Sequence, residues 1–219
     1  MTGGAQNIEF IVLATTKVGD NAIVVHTLSK EYGRRGFLLR SAKKTAGALL
    51  LPLNILEADV VENPKSELWT IKNLLLKDSL QGIRGNLQKN TITLFMAEVL
   101  MRTLKDGTNE DGLYEWCVGS ILTFNALESD WTNFHVRFLM ELAGALGFRP
   151  SFQSIAPFAQ EQLQPMKQLL EADFTASMLL PLSGATRSAL CEDLLRYLSY
   201  HTDTNIQVKS LDVLKELYR

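Results

Sequence analysis

Tyr32-Gly-Arg-Arg-Gly-Phe-Leu-Leu-Arg-Ser-Ala-Lys-Lys-Thr-Ala-Gly-Ala-Leu-Leu-Leu-Pro-Leu53 carries both the scaffold signal and the charge signal of this chain. Phe37, Leu38 and Leu39 make an apolar, strand-like triplet between Arg34 and Arg35 on one side and Arg40, Lys43 and Lys44 on the other. No carboxylate lies between Arg34 and Lys44. Upstream, Ile8, Phe10 and Val12 recur every second residue, and Lys17-Val-Gly-Asp-Asn21 is a turn leading into a second β-rich run from Ala22 to Leu28. The pattern places a third strand over about 36–41, a fourth over about 49–61 and, after the turn Glu62-Asn-Pro-Lys-Ser66, a fifth over 68–75. Five short strands in so little chain fit a small barrel closed on itself to hide its edges. An OB-type barrel suits the strand count and the basic stretch, while an SH3-like barrel shares many of the same signals.

From about Ile83 the period changes. Ile92, Phe95, Met96, Val99, Leu100 and Leu104 follow helical spacing, as do Leu113, Trp116, Cys117, Ser120, Ile121 and Phe124. A third helix runs from Asn133 to Leu146 and stops at Gly147, with Pro150 beyond it. Further helices are expected near 158–171, 186–200 and 210–218. The fold class is therefore α+β: an OB-type barrel over 1–80, followed by an all-α domain over 81–219.

The 219 residues are 46% hydrophobic and 21% charged, an ordinary globular composition, and their net charge is −2. Polyanion binding therefore needs a local patch. Lys17 to Lys44 supplies one, with seven basic residues against two acidic ones, a local charge of +5. The two cysteines, Cys117 and Cys191, form no CxxC pair and read as buried thiols in a reducing compartment. The first residues hold no basic region ahead of an apolar core, and no window supplies the ~20 apolar residues of a membrane span. The expected location is cytoplasmic, with no membrane partner. His26, His135 and His201 share no metal-ligand spacing, and Gly33-Arg-Arg-Gly36 lacks the spacing of a phosphate loop. No catalytic constellation emerges, so the expectation is a non-enzyme without cofactor or metal.

Several local strings resemble the bacterial DNA repair family RecO. They are Ile11 to Gly33, with its Gly-Asp turn; Arg40-Ser-Ala-Lys-Lys44 followed by Leu50-Leu-Pro-Leu53; Phe134 to Pro150; and Lys209 to Leu217. Many members of that family carry a four-cysteine zinc site after the stop that here reads Gly147-Phe-Arg-Pro150, whereas Ser151 to Pro165 contains no cysteine. No zinc-ribbon insertion is expected, and ordinary packing must take its place. The resemblance implies a recombination mediator that binds single- and double-stranded DNA and anneals complementary strands. It also implies binding to the C-terminal tail of single-stranded DNA-binding protein (SSB) and, with RecR, help in loading RecA onto covered strands.

The candidate DNA-binding residues are Arg34, Arg35, Arg40, Lys43 and Lys44, with Lys17 extending the groove from a neighbouring turn. Cations of this kind hold phosphates without reading sequence. Phe37 reads as barrel core, Trp69 as packed, and Tyr32 stays open between packing and stacking on bases. For the acidic SSB tail, Arg137 beside Phe134 and Leu142 offers a cation next to apolar side chains; the competing reading is a helix-surface arginine whose stem covers the core. The alternative function is a protein-interaction adaptor whose barrel grips a partner peptide and no DNA.

Overall fold

The computed structural model describes residues 6–40, 46–159 and 161–217. Contacts divide the chain into two compact units, Met1–Gln81 with Leu104–Gly119, and Gly82–Thr103 with Ser120–Arg219. The segment 104–119 thus belongs with the strands.

The first unit is built on β1 (Gln6–Lys17), β2 (Ala22–Ser29), β3 (Gly33–Arg40), the short helix α1 (Ala46–Leu49), β4 (Ile55–Val61) and β5 (Trp69–Leu76). The strands close in the order β1-β2-β3-β5-β4, the five-stranded OB-type barrel. Closure depends on β1 serving two partners. Its first half, Gln6–Ile11, pairs with Val60–Ile55, and Phe10–Lys17 pairs with Ser29–Ile23 across an irregularity between Val12 and Ala14. A short parallel register, Phe37–Leu39 against Trp69–Ile71, closes the remaining seam.

Period-two patterning sends Ile8, Phe10, Val12, Val25, Phe37, Leu56, Val60 and Ile71 into one barrel core. The fourth strand begins later than the apolar run 49–54 suggests. Pro52 has no N–H to give a ladder, and Leu53 is turned to a φ of 63°. Asn54 then donates its side-chain amide to the carbonyls of Ala48 and Leu49, both at 3.0 Å, which ends α1 and delays the strand to Ile55.

The helical elements are α2 (Gln81–Arg84), α3 (Leu87–Thr103), α4 (Leu113–Ala126), a 3-10 turn (Trp131–Asn133) leading into α5 (Phe134–Ala145), α6 (Phe152–Ile155), α7 (Leu163–Glu171), α8 (Phe174–Leu179), α9 (Gly184–Thr202) and α10 (Ser210–Leu217). In the second unit α5 packs against α3, α8 and α9. Phe95, Val99, Val136, Leu139, Leu190, Leu194 and Leu198 are fully buried there. The stop at Gly147 has a φ of +86°, and the Phe148 N–H donates back to the Ala143 carbonyl at 2.7 Å.

The short helices α6 and α8 are additions to the sequence reading. Each is a few residues long and begins at an N-cap whose side chain accepts from a backbone N–H: Ser151 from Ser154 and Asp173 from Ala176. No helix among the described residues is long and apolar enough to cross a membrane.

Candidate nucleic-acid interface

The β2–β3 hairpin positions the basic residues, because directly opposed residues on antiparallel strands share a face. Val25 lies opposite Phe37 and Ile23 opposite Leu39, so those residues face the core. Ala22 opposite Arg40, Val24 opposite Leu38 and His26 opposite Gly36 lie on the outer face. Arg40 is exposed at the end of β3, and Lys17 is exposed at the end of β1, opposite Ile23. The two cations therefore flank the first residues of β2 at one rim of the barrel, Arg40 on the outer face and Lys17 on the face that Ile23 shares. No ion pair engages either of them among the described residues. Lys43 and Lys44 follow Arg40 in the sequence and lie outside the described residues.

Arg34 and Arg35 have other environments. The Arg34 side chain is only 4% exposed, and its Nη1 lies 3.0 Å from Oδ1 of Asp106. The segment carrying Asp106 runs along the first half of β3. There Arg34 N–H donates to Thr108 O and Gly107 N–H donates to Arg34 O, both at 2.8 Å. Burial lowers the Arg34 pKa, and Asp106 partly offsets that cost. Arg34 thus anchors the 105–109 segment and does not offer its guanidinium to solvent.

Arg35 leaves the strand on the opposite face. Its guanidinium carbon lies 3.7 Å from the Trp69 ring centre, and Nη2 donates to Glu67 O at 3.1 Å. Tyr32 meets Trp69 edge-on at 5.2 Å and donates its hydroxyl to Gln6 Oε1 at 2.7 Å. Phe37 is fully buried, and Trp69 is packed against the barrel core, as read from the sequence.

The Phe134, Arg137 and Leu142 trio does not form an open receptor, and the sequence reading is corrected here. Leu142 is fully buried. Phe134 is buried and stacked on Phe124 with ring centres 4.4 Å apart. Arg137 is 15% exposed, pairs through Nε with Glu141 at 2.7 Å and donates from Nη1 to Ala172 O at 2.9 Å. It closes the end of α7, where unsatisfied carbonyls and the helix dipole favour a cation. Helical spacing had placed a cation beside apolar residues; the helix supplying the carbonyls came from 32–35 positions downstream.

Cys117 and Cys191 are free and buried, and burial pushes both thiols up in pKa. No group of three or more His, Cys, Asp or Glu side chains among the described residues is placed to hold a metal ion. In the cysteine-free stretch after Pro150, Ile155 and Ala159 are buried. Phe158 meets Tyr197 edge-on at 5.5 Å, and Arg196 Nη2 donates to Phe158 O at 2.8 Å.

Sequence reading missed three neighbours of the basic stretch. Asp106 sits in a string read only as a helix stop. His26 shares a 3.0 Å hydrogen bond with Thr16 Oγ1 on the outer face of the barrel. Leu68, counted as strand, is an exposed residue before β5.

Comparison with known proteins adds the family context. Residues 2–80 match the family model described as Recombination protein O N terminal, and residues 84–157 match Recombination protein O C terminal. The chain is 28% identical over 234 residues to the DNA repair protein RecO of Bacteroides fragilis, covering 95% of this chain and 97% of that protein. It is 25% identical over 231 residues to the DNA repair protein RecO of Flavobacterium psychrophilum, with the same coverage of 95% and 97%. Against the protein of that name from Porphyromonas gingivalis strain W83 the identity is 34% over 149 residues, covering 65% of this chain and 61% of that protein.

Proposed function

The chain belongs to the RecO family of DNA repair proteins, and on that premise we propose that it is a non-enzymatic recombination mediator gripping DNA by its phosphates at one rim of the barrel. The supporting observation is that Lys17 and Arg40, both exposed, flank the start of β2 at one rim of a closed barrel. Lys43 and Lys44 extend that cluster in sequence. Contacts of this kind neutralise phosphates and release counterions, so they hold single and double strands alike without reading bases. A grip that ignores sequence is what annealing requires, since each complementary strand must be held whatever its bases.

Within this reading Arg34 and Arg35 lie toward the other end of β3, Arg34 securing the 105–109 segment and Arg35 lying on Trp69. The family resemblance supplies the partners: RecR, SSB through its acidic tail, and RecA indirectly, in the cytoplasm. A tail receptor on this chain would lie away from Phe134, Arg137 and Leu142.

Anisotropy of a labelled single-stranded oligonucleotide, titrated with the protein at several salt concentrations, tests the proposal. A mediator gives saturable binding that weakens steeply with salt. An adaptor whose barrel binds only a protein partner gives no DNA signal at any salt.

A further inference from the structure

On the outer face of the β2–β3 hairpin, between the 105–109 segment and the turn before β5, lies a groove of about 360 Å³. Its floor is Gly36. A side chain there would point into the groove, with its Cβ 3.3 Å from Val24 Cγ1, 3.6 Å from Leu68 Cδ2 and 3.8 Å from His26 Nδ1. The absent side chain leaves the strand backbone uncovered between these three neighbours. Leu68, 39% exposed, forms an apolar wall. His26 contributes a polar edge; its other ring nitrogen, Nε2, is engaged by Thr16. Arg35 borders one end of the groove from the other face of β3, its guanidinium held on Trp69 and by the Glu67 carbonyl, an arrangement that fixes its plane.

The charge of the lining decides what fits. Arg34 and Arg35 are balanced by Glu67 and Asp106, and Arg34 is already paired with Asp106. Burial and the neighbouring Arg34 lower the His26 pKa, which favours the neutral ring. A phosphate gains little in a lining of zero net charge, whereas a neutral planar group with a polar edge finds an apolar wall and hydrogen-bonding partners. The volume lies toward the small end of the ~300–1,000 Å³ typical of small-ligand pockets. Arg40 lies on the same outer face four residues along β3, ~13 Å away at the usual strand rise.

We propose that this groove is a nucleobase site: one unstacked base of a bound single strand lies on Gly36 against Leu68, its polar edge toward Arg35 and His26, while the adjoining backbone runs toward Arg40. The inference rests on the strand-binding reading above and adds to it a contact with a base. The site takes any base, because a flat floor and an apolar wall act on faces common to all of them.

The test compares two labelled oligonucleotides of equal length at one salt concentration. One is an intact single strand, and in the other every base is replaced by an abasic tetrahydrofuran residue. The full-length protein is expected to prefer the intact strand by about tenfold or more, the effect of one well-stacked base. Gly36→Val fills the floor, and Leu68→Ser removes the wall at an exposed position. Each variant, with a native circular dichroism spectrum, is expected to reduce the preference to about twofold or less while keeping the wild-type salt dependence. Equal binding of the two oligonucleotides by the wild type overturns the groove inference and leaves the phosphate grip standing. Preference undiminished in both folded variants also overturns it, by moving base recognition elsewhere. Absence of binding to either oligonucleotide at low salt overturns the strand-binding reading and this inference together.

Discussion

Arg34 and Arg35 are neighbours in one strand, yet strand alternation sends their side chains to opposite faces and into different chemistry. One is buried against Asp106, and the other lies flat on Trp69. The pairing makes a prediction that separates anchoring from DNA contact. Asp106→Ala should lower unfolding stability by about 1–3 kcal/mol, because a buried guanidinium loses a charged partner, and should leave the salt dependence of DNA binding unchanged. Denaturant melts and salt-titrated binding check the two halves. Tighter DNA binding at unchanged stability would instead mean that Asp106 had been competing with phosphate for Arg34.

A second residue carries a pH signature. Asp193 on α9 is buried beside Arg196, and its Oδ2 has no hydrogen-bond partner among the described residues. Burial raises its pKa to about 6 against the opposing pull of Arg196. Protonation therefore favours the folded state. The stabilising contribution is complete below the ordinary carboxylate pKa of ~3.9 and is lost as the pH rises through about 6. Asp193→Asn should consequently gain in Tm relative to the parent between pH 5 and pH 7.5, by about 2–4 °C. A difference that stays constant across that interval would contradict the assignment.

At the scale of elements, β3 is guarded differently along its length. Its second half pairs with β5, and its first half is covered by the 107–108 backbone. Gly33 makes that cover feasible: its φ is +58°, and a Cβ would fall 2.0 Å from Thr108 O. Gly33→Ala should cost about 2 kcal/mol or more, through left-handed strain plus displacement of the segment, measurable by chemical denaturation. A near-neutral effect would mean the segment is not held as described.

Cations also finish helices in the second unit. Lys89 donates to the carbonyl of Phe124 in the last turn of α4 and to that of Leu127 just beyond it, and lies over the Phe124 ring, and Arg137 does the equivalent for α7. Arg137→Ala should therefore lower stability by about 1–3 kcal/mol. If it abolished binding of an acidic, Phe-terminated peptide without loss of stability, the capping role would fail.

What sequence reading captured and missed divides along these lines. Alternation at Ile8, Phe10 and Val12 and the helical period around Phe95 to Leu104 are local signals, and both became structure. The burial of Arg34 depends on Asp106, which lies 72 positions later in the chain. The role of Arg137 depends on a helix end that local spacing cannot locate. The run after Gly47 looked like strand because Leu49, Leu50 and Leu51 are apolar, while the Asn54 amide that ends α1 is a side-chain bond invisible to hydropathy.

For the whole molecule, a net charge of −2 conceals a division of labour. Much of the positive charge is engaged internally, by Asp106 at Arg34, by Glu9 and Glu57 at Lys77, and by helix carbonyls at Lys89 and Arg137. Lys17 and Arg40 are outward cations at the barrel rim, continued in sequence by Lys43 and Lys44. The central claim is that this rim holds phosphates, and the slope of log binding constant against log salt measures it most directly. Replacing Lys17, Arg40, Lys43 and Lys44 together with Ala should weaken single-strand binding and flatten the slope by about 0.7 for each phosphate no longer neutralised, toward a total of about 3. Affinity and slope both unchanged from the parent would contradict the account.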